Sequence, residues 1–435
     1  DPTAKGLATL VLVGGLTALA SFSVLATDML SAFNWASLIT LIPYLTAAVV
    51  LMLDAISAYR KGQIIAQARR KRQQLPKLNV VGITGSYGKS SVKHFLSHIL
   101  REARVPHAAT KEHRNAVYPV ALDMLEQLRS DTGTYIAELA AYTPGEIKEL
   151  SELVQPGIGC ITAIGNQHVA LFGGPAALLK AKWELAEAVP KEGTLVLNGE
   201  DKRLRQQAQH YPGQIVWYST HQAADVQLSE VTYAPRSFTG TLHISERQTP
   251  VTVPLAGSGA VSSVAAAAAL AHTLNLSLDD IAAALATLSP MPRTMEVRPG
   301  VEGSTIIDDS YSANEQGVLA ALQHLELFPE QNKVVVLAPL IELGAESSAV
   351  HQRIGQALAD ISAQVIIAGS SYRHELASAR DDIHFISSAN ELVRTVRATI
   401  DPGTVVLLEG RVPAILRKSL LSPSDATSHS YITLP

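Results

Sequence analysis

The chain has 435 residues, too many for one ordinary hydrophobic core, so two or three domains are expected. A formal net charge of −4 gives no reason to expect nucleic acid as a partner. The single cysteine, Cys160, excludes an intramolecular disulfide framework and a cysteine-rich zinc site, and its apolar surroundings favour a small buried core residue.

Two uncharged apolar segments open the chain, at residues 7–27 and 31–53. Each has about the 20 residues that a helix needs to cross the hydrocarbon layer, and Asp28 and Met29 between them leave room for a tight turn. Residues 1–58 are therefore predicted to form two transmembrane helices. A cleaved signal peptide would not explain the second segment, and two buried helices of a soluble domain would each show a polar face.

A basic segment, residues 59–77, follows the two apolar segments, and no acidic residue occurs between positions 55 and 101. Its positive residues are Arg60, Lys61, Arg69, Arg70, Lys71, Arg72 and Lys77. One-sided positive charge beside a membrane span marks the cytoplasmic side. We therefore predict a basic cytoplasmic linker, membrane lipids as partners, and localisation at the cytoplasmic (inner) membrane with the remaining chain in the cytoplasm.

From residue 78 onward, short apolar runs alternate with helix-like stretches, which predicts a mostly parallel, doubly wound α/β sheet in a central domain at 78–290. Strands are expected at 79–83, 134–138, 158–164 and 194–198, with helices at 91–102, 117–128, 144–153 and 175–189 between and after them. Antiparallel strands are expected within 215–254, and the alanine-rich run 260–276 is expected to be a packed core helix.

A second α/β domain is predicted at 291–435, because strand-like runs again alternate with helical segments. The runs are 304–307, 333–337, 364–368, 383–386 and 404–408. The tail from Ser422 is rich in serine and proline and is expected to be loose.

The sharpest motif lies where the first predicted strand meets its helix, and it ends in Gly-Lys-Ser. Backbone N–H groups of such a loop and of the helix start bind polyphosphate, while Lys89 reaches the terminal phosphates and the Ser90 hydroxyl ligates Mg²⁺. A chance Gly-Lys-Ser after a strand is the alternative. The predicted nucleotide-binding residues are Thr84, Gly85, Ser86, Gly88, Lys89, Ser90 and Ser91.

Six segments, in order between residues 84 and 344, resemble the Mur ligase family, and within it the ligases that add D-alanyl-D-alanine to a UDP-linked tripeptide. They are TGSYGKS (84–90), AELAAYTPGE (137–146), NQHVALFG (166–173), AKWE (181–184), IDDSYSAN (307–314) and IELG (341–344). The resemblance implies a P-loop central ATPase domain and a Rossmann-like C-terminal domain. It also implies ATP-dependent activation of a carboxylate as an acyl phosphate, which an amine attacks to give an amide.

The resemblance also implies roles for individual residues. Glu138 would share Mg²⁺ with Ser90, and His168 together with a carbamylated Lys182 would hold a second Mg²⁺. Lys89, His168 and Lys182 are thus the predicted catalytic residues. Asn198, after the strand 194–197, and Asn314 would contact the adenine, and Asp309 would lie near the ribose or triphosphate from the C-terminal domain.

Each assignment has a structural alternative. Glu138 has the alternative of a solvated strand end, His168 of a satisfied loop histidine, and Lys182 of an ordinary surface lysine. The segment containing Lys111, His113 and Arg114 is interpreted as a polar loop, with the border of an acceptor site as the alternative.

Departures from the family pattern concentrate on the substrate side. Two predicted spans stand where the UDP-binding domain is expected, and Thr294 stands where the family usually carries arginine. Further departures occur at 259–260, 338–339 and 409–411. The prediction is therefore an ATP- and Mg²⁺-dependent ligase with a carboxylate acceptor and an amine donor, acting on a cell-envelope precursor, lipid-linked if the anchor serves it. A glutamate-adding synthetase and a nucleotide-binding membrane partner with weak catalysis remain alternatives.

Overall fold

The computed structural model describes Gly15 and residues 32–165, 172, 174–311, 313–341 and 343–422. A 42-residue helix, α1 (Ala32–Gln73), comes first. Among the described residues it contains the one helix that is long and apolar enough to cross a membrane, judged by length and composition. The structure thus supports one of the two predicted spans. The other, at 7–27, lies outside the described residues apart from Gly15.

The segment predicted as a basic linker is helical as far as Gln73 and packs against the central domain. Ala68 is fully buried there, and Ile64 and Ile65 pack beside it. Arg72 Nε donates to the carbonyl oxygen of Val154 at 3.0 Å. The apolar residues at 64, 65 and 68 share one helical face, and burial of that face stabilises the helix. The prediction of a linker, which was based on charge alone, was wrong for this segment.

The central domain is built on a nine-stranded sheet. Its strands are β1 (Asn79–Thr84), β2 (His107–Ala109), β3 (Thr134–Glu138), β4 (Ile158–Ile161), β5 (Thr194–Asn198), β6 (Gln214–Ser219), β7 (Val226–Ala234), β8 (Ser237–Ile244) and β9 (Arg247–Val253). Their order is β2-β3-β1-β4-β5-β6-β7-β8-β9. Pairing is parallel from β2 to β7 and antiparallel from β7 to β9, which confirms a mostly parallel sheet with an antiparallel extension. The prediction was wrong for β6, which apart from its first residue lies within the stretch 215–254 expected to be antiparallel and is parallel to both β5 and β7.

Helices cover both faces of this sheet, so it is doubly wound as predicted. They are α2 (Lys89–Glu102), α3 (Val117–Gln127), α4 (Glu146–Val154), α5 (Pro175–Ala188), α6 (Lys202–Ala208), α7 (Gly259–Thr273) and α8 (Leu278–Leu285). One core lies under α2, α7 and α8, and the other lies under α3 to α6 and the end of α1. Helix α7 is the predicted alanine-rich core helix, and its small side chains let it pack closely on α2.

The second sheet has the order β10-β11-β15-β12-β13-β14, in which only β10 is antiparallel to its neighbour. Its strands are β10 (Glu296–Pro299), β11 (Thr305–Asp309), β12 (Lys333–Leu337), β13 (Gln364–Ala368), β14 (His384–Ile386) and β15 (Val405–Glu409). Its helices are α9 (Glu315–Leu325), α10 (Ser347–Ala359), α11 (Arg373–Leu376), α12 (Ala389–Ala398) and α13 (Ala414–Leu420), with 3₁₀ turns at Val301–Gly303 and Gly344–Glu346. Cores on both faces confirm a second α/β unit.

The order of the central sheet determines where a ligand can bind. From β1 the chain crosses to β2 on one side, and from β3 it crosses back to β4 on the other side of β1. Ligands of open α/β sheets bind at the carboxyl ends of the strands where the strand order reverses in this way. The loop after β1 lies at that point.

Candidate active site

The loop between β1 and α2 is shaped by two glycines. Gly85 (φ 145°) and Gly88 (φ 79°) lie in the left-handed region, and a Cβ atom on Gly85 would lie 2.0 Å from Thr162 Oγ1. Ser86 N donates to the carbonyl oxygen of Ala163 at 2.8 Å, and Thr162 donates to the carbonyl oxygen of Thr84. These bonds explain why β4, predicted to run to 164, ends at Ile161: the next residues turn to hold the loop.

A cavity of about 510 Å³ lies over this loop, between the two domains. Gly88, Lys89, Ser90 and Ser91 line it from the central domain. Because the first turn of α2 has N–H groups without helical partners, its start provides the donors that a polyphosphate requires. The predicted loop residues are therefore arranged as a nucleotide site, with Thr84, Gly85 and Ser86 forming the backbone of the turn.

Lys89 folds back over its own loop. Its Nζ donates to the carbonyl oxygens of Gly85 at 2.8 Å and Ser86 at 3.4 Å. Burial lowers the pKa of Lys89, and the charge of Glu138 opposes that shift. The ammonium group is thus already positioned inside the turn where terminal phosphates would lie.

Glu138, at the end of β3, is a buried carboxylate with polar partners on several sides, so the alternative of a solvated strand end is wrong. It accepts from Ser90 Oγ at 3.0 and 3.1 Å, from Lys93 Nζ at 2.9 Å and from Asn115 Nδ2 at 3.2 Å. Burial raises the pKa of Glu138, but the charge and hydrogen bond of Lys93, followed by Lys89 and Asn115, outweigh it and leave the pKa below its usual value. The side chain is therefore held ionised.

The oxygens of Ser90 and Glu138 fit Mg²⁺. A hydroxyl and a carboxylate are hard oxygen donors, and Mg²⁺ in such sites takes one or two protein ligands and completes its shell with phosphate and water. Among the described residues no group of three or more histidine, cysteine, aspartate or glutamate side chains is arranged to hold a metal ion. His168, predicted for a second Mg²⁺, lies outside the described residues.

Lys182 on α5 is buried, so the alternative of an ordinary surface lysine is wrong. Its Nζ lies 5.7 Å from the centre of the Phe172 ring. Burial, followed by the nearby charge of Lys89, lowers the pKa of Lys182 to about 7. A lysine with this pKa is largely neutral at slightly alkaline pH, as its proposed carbamylation requires.

The remaining predicted residues line the same cavity, Asn198 from the central domain and Asp309 and Asn314 from the C-terminal domain. Asn198 Oδ1 accepts from the backbone N–H of Glu200 at 2.9 Å, and Asn314 Oδ1 caps α9 by accepting from Gly317 N at 3.0 Å. The two asparagines also line an adjoining cavity of about 550 Å³. The structure thus places together side chains that are more than 100 positions apart.

Asp309 lies beside Glu409, its paired residue across β11 and β15. Burial raises the pKa of Asp309 to about 7. Burial and the charge of Asp309 raise the pKa of Glu409 well above its usual value. Protonation within this pair would reduce the repulsion that two carboxylates exert on a neighbouring polyphosphate.

Three residues of the site were missed by sequence reasoning: Lys93, Asn115 and Tyr311. Lys93 follows Ser90 by three positions on α2, so helical spacing places both on one face, which is a detectable signal. Asn115 lies in a loop without periodicity. Tyr311 lies next to Ser310 in the C-terminal domain and lines the cavity together with Ser90 of the central domain.

Replacing Lys93 by methionine is expected to destabilise the protein by about 3–5 kcal/mol, because it leaves Glu138 buried without its cation. Thermal unfolding measures this loss, and added Mg²⁺ should restore part of it by supplying positive charge at Glu138. Lys111→Met is the matched control: it breaks an exposed 2.9 Å ion pair with Glu126 and should cost no more than about 1 kcal/mol. Equal, small losses in both variants would contradict the assignment.

Comparisons with known proteins agree with this geometry. Two domain descriptions of one family match the chain: the Mur ligase middle domain over residues 83–271, and the Mur ligase, glutamate ligase domain over residues 293–412. Together they cover more than two thirds of the chain.

Individual relatives give the same result. The chain is 29% identical over 362 residues to the UDP-N-acetylmuramoyl-tripeptide--D-alanyl-D-alanine ligase of Mycobacterium tuberculosis (strain CDC 1551 / Oshkosh), covering 80% of this chain and 69% of that protein. It is 27% identical over 340 residues to the ligase of the same name from Escherichia coli (strain K12), covering 78% and 74%. A crystal structure of MurF from Acinetobacter baumannii matches with a TM-score of 0.73 and 26% identity, over 80% of this chain and 77% of that one.

A MurF ligase structure from Thermotoga maritima in complex with ADP shares the fold, with a TM-score of 0.74 at 22% identity, over 82% of this chain and 84% of that one. The predicted resemblance is confirmed by domain matches, relatives and structures alike. The chain belongs to the Mur ligase family.

Proposed function

We propose that this Mur ligase is an ATP- and Mg²⁺-dependent enzyme that joins an amine to a carboxylate of a peptidoglycan precursor at the cytoplasmic face of a membrane. The observation that supports this most is the group of Lys89, Ser90 and Glu138 at the reversal point of the central sheet. ATP-dependent joining of an acid and an amino acid is the chemistry of the family. The identity of the two substrates and the membrane location are the new parts of the proposal.

The described residues suit this reaction. Backbone N–H groups at the start of α2 and the Lys89 ammonium bind and orient the phosphates of ATP. Ser90 and Glu138 would hold Mg²⁺, which when bound would supply positive charge against the phosphate oxygens and the substrate carboxylate. The γ-phosphoryl group passes to the carboxylate, giving an acyl phosphate and ADP. The amine then attacks the acyl carbon, loses a proton and displaces phosphate, leaving an amide.

Closing of the cavity excludes water from this chemistry. The C-terminal domain contributes Asp309 and Asn314 to the wall opposite the phosphate loop. An acyl phosphate exposed to water would hydrolyse without forming an amide, so a wall supplied by a second domain protects it. The raised pKa of Asp309 lessens the negative charge that this wall presents to ATP.

The substrate proposal follows from the names of the relatives, which act on UDP-N-acetylmuramoyl-tripeptide and D-alanyl-D-alanine. We propose the same chemical classes here: a peptide carboxylate on a cell-wall precursor and a short amine-bearing peptide. A lipid-linked form of the precursor suits an enzyme anchored at the membrane, because confinement to one surface raises the effective concentration.

Membrane anchoring is proposed for α1. Its first half presents large apolar side chains to the outside: Leu41, Tyr44, Leu51, Met52, Ile56 and Tyr59 are all at least 45% exposed. Residues 35–54 span about 30 Å as a helix, the thickness of the hydrocarbon layer. Tyr59, Arg60 and Lys61 follow at the position where an aromatic ring and positive charges favour the headgroup region.

The function test is phosphate release by the purified full chain with ATP, Mg²⁺ and paired acceptors: UDP-linked or lipid-linked muramoyl-tripeptide with D-alanyl-D-alanine or with glutamate. Release that requires both substrates supports the ligase, and Lys89→Ala should lower it by at least about 100-fold because a phosphate-binding charge is lost. Lys191→Ala, an exposed lysine outside the cavity, is the control. Turnover with glutamate alone would favour the glutamate-adding synthetase, and ATP binding without turnover would favour the non-catalytic partner.

Carbamylation of Lys182 has its own signature. The neutral amine adds CO₂ and releases one proton, so with a pKa of about 7 the carbamate should form readily at pH 8 and poorly at pH 6. Carbon-13 NMR with labelled bicarbonate should show a carbamate signal that is absent in Lys182→Ala and present in Lys180→Ala, an exposed neighbour. Full activity of Lys182→Ala in bicarbonate-free buffer would refute a carbamate role.

Membrane anchoring is tested by cell fractionation of the full chain. The protein should sediment with membranes and resist extraction by high salt, whereas Leu41→Glu combined with Leu51→Glu should move it to the soluble fraction, because charge is costly in the hydrocarbon layer. Leu327→Glu, which changes an exposed leucine on the C-terminal domain, should leave fractionation unchanged. Membrane sedimentation of the double variant equal to that of the parent would contradict an anchor at α1.

A further inference from the structure

Tyr311 connects the two domains. Its ring lies parallel to the imidazole of His113 in the central domain, with centroids 6.1 Å apart and planes inclined by 17°. The guanidinium of Arg293 lies 5.1 Å from the centroid of the same ring. The backbone N–H of Tyr311 donates to the carbonyl oxygen of Arg293 at 2.9 Å, so Tyr311 and Arg293 form one unit.

Both neighbours of the Tyr311 ring have strained backbones. His113 and Arg293 each have φ of 61°, in the left-handed region that residues other than glycine rarely adopt. Such conformations cost on the order of 1 kcal/mol each and persist where the surrounding structure requires them. Two residues of this kind, one from each domain, therefore flank the Tyr311 ring.

Tyr311 lies on the same cavity as the proposed metal ligands. It lines that cavity together with Ser90, whose hydroxyl donates to Glu138. The loop that carries His113 also carries Asn115, whose Nδ2 donates to Glu138 at 3.2 Å. The loop of the central domain that carries His113 and Asn115 therefore contacts both Glu138 and the Tyr311 ring of the C-terminal domain.

A second contact joins the domains away from the phosphate loop. The carbonyl oxygen of Pro235, in the turn between β7 and β8, accepts from His324 Nε2 at 3.1 Å. Arg236 in the same turn lies 3.4 Å from Thr305 Oγ1. A rotation of the C-terminal domain about this contact would separate Tyr311 from His113 while the domains stay joined.

We propose that Tyr311 and His113 form a latch that closes the C-terminal domain over the phosphate loop. In the closed state the ring stacks on His113, the hydroxyl binds Ser90, and the Arg293 guanidinium is brought to the same side of the site. Tyr311 is a positioning residue, because it acts through Ser90 and through the domain contact. The latch deepens the proposed ligase function and rests on it for its catalytic consequence, but domain closure itself is measurable without turnover.

Closure is measured as a distance between two exposed labels, one on each domain. Cys160 is fully buried, so Asp131→Cys and Gln331→Cys give two sites for fluorophores that a maleimide reaches. With ADP or a non-hydrolysable ATP analogue and Mg²⁺, the parent should populate the short distance. His113→Ala should shift the population to a longer distance, whereas His113→Phe, which keeps a flat ring, should retain the short one.

Turnover provides the second readout. A stacked pair contributes about 0.5–1.5 kcal/mol, so His113→Ala should lower kcat by about three- to ten-fold while changing KM for ATP less than two-fold. Tyr311→Phe should keep the short distance and still lower kcat, because only the hydroxyl contact with Ser90 is lost. His221→Ala, an exposed histidine outside the contact, is the control.

The outcomes separate the latch from the ligase proposal. An unchanged distance in His113→Ala overturns the latch even if the protein is an active ligase. A distance that lengthens equally in His113→Phe and His113→Ala also overturns it, because stacking would then not be the cause. Absence of ligase turnover with a lengthened distance in His113→Ala alone refutes the proposed function and leaves the latch supported.

Discussion

The buried carboxylate of Glu138 is the constraint on which the rest of the site depends. A carboxylate removed from water is strongly destabilising unless charges and hydrogen-bond donors compensate it. Here the compensation comes from Ser90 and Lys93 on α2 and from Asn115 on the following loop. The ion pair and hydrogen bonds that compensate Glu138 therefore fix the relative positions of β3, the first turns of α2 and the loop before α3. The phosphate loop is held as a consequence of that arrangement.

The sheet makes this compensation possible. In the parallel register Ile83 of β1 pairs with Glu138 of β3, so the carboxylate ends its strand beside the start of the phosphate loop. Lys182 approaches from α5, close enough for the charge of Lys89 to contribute to lowering its pKa. The lysine side chains thus approach one another from separate elements. Their mutual repulsion is offset only if negative groups lie between them. ATP and a carboxylate substrate are such groups.

Local patterns were enough to predict the end of β1 and the loop after it, because Gly85, Gly88 and Lys89 are neighbours in the chain and their chemistry is local. Local patterns did not predict the end of β4, which was expected at 164 and lies at Ile161. They were not enough for Lys93 or Asn115, whose partner Glu138 becomes adjacent only after β1 and β3 pair. The basic segment before β1 was predicted as a linker because its charge was weighed above the apolar spacing at 64, 65 and 68. Burial of Ala68 shows that the spacing decided the structure.

That helical segment also connects the proposed anchor to the chemistry. Helix α1 packs on α3 and α4, and Lys71 Nζ donates to the carbonyl oxygen of Leu125 in α3 at 2.8 Å. The loop leading into α3 carries His113 and Asn115. A continuous helix is stiff over this distance, so an anchor in the bilayer would hold α3, and with it the loop that meets both Glu138 and Tyr311, at a set height and orientation. An anchored α1 would thus set the distance and orientation of the active site relative to the membrane, whereas a flexible linker would leave both variable.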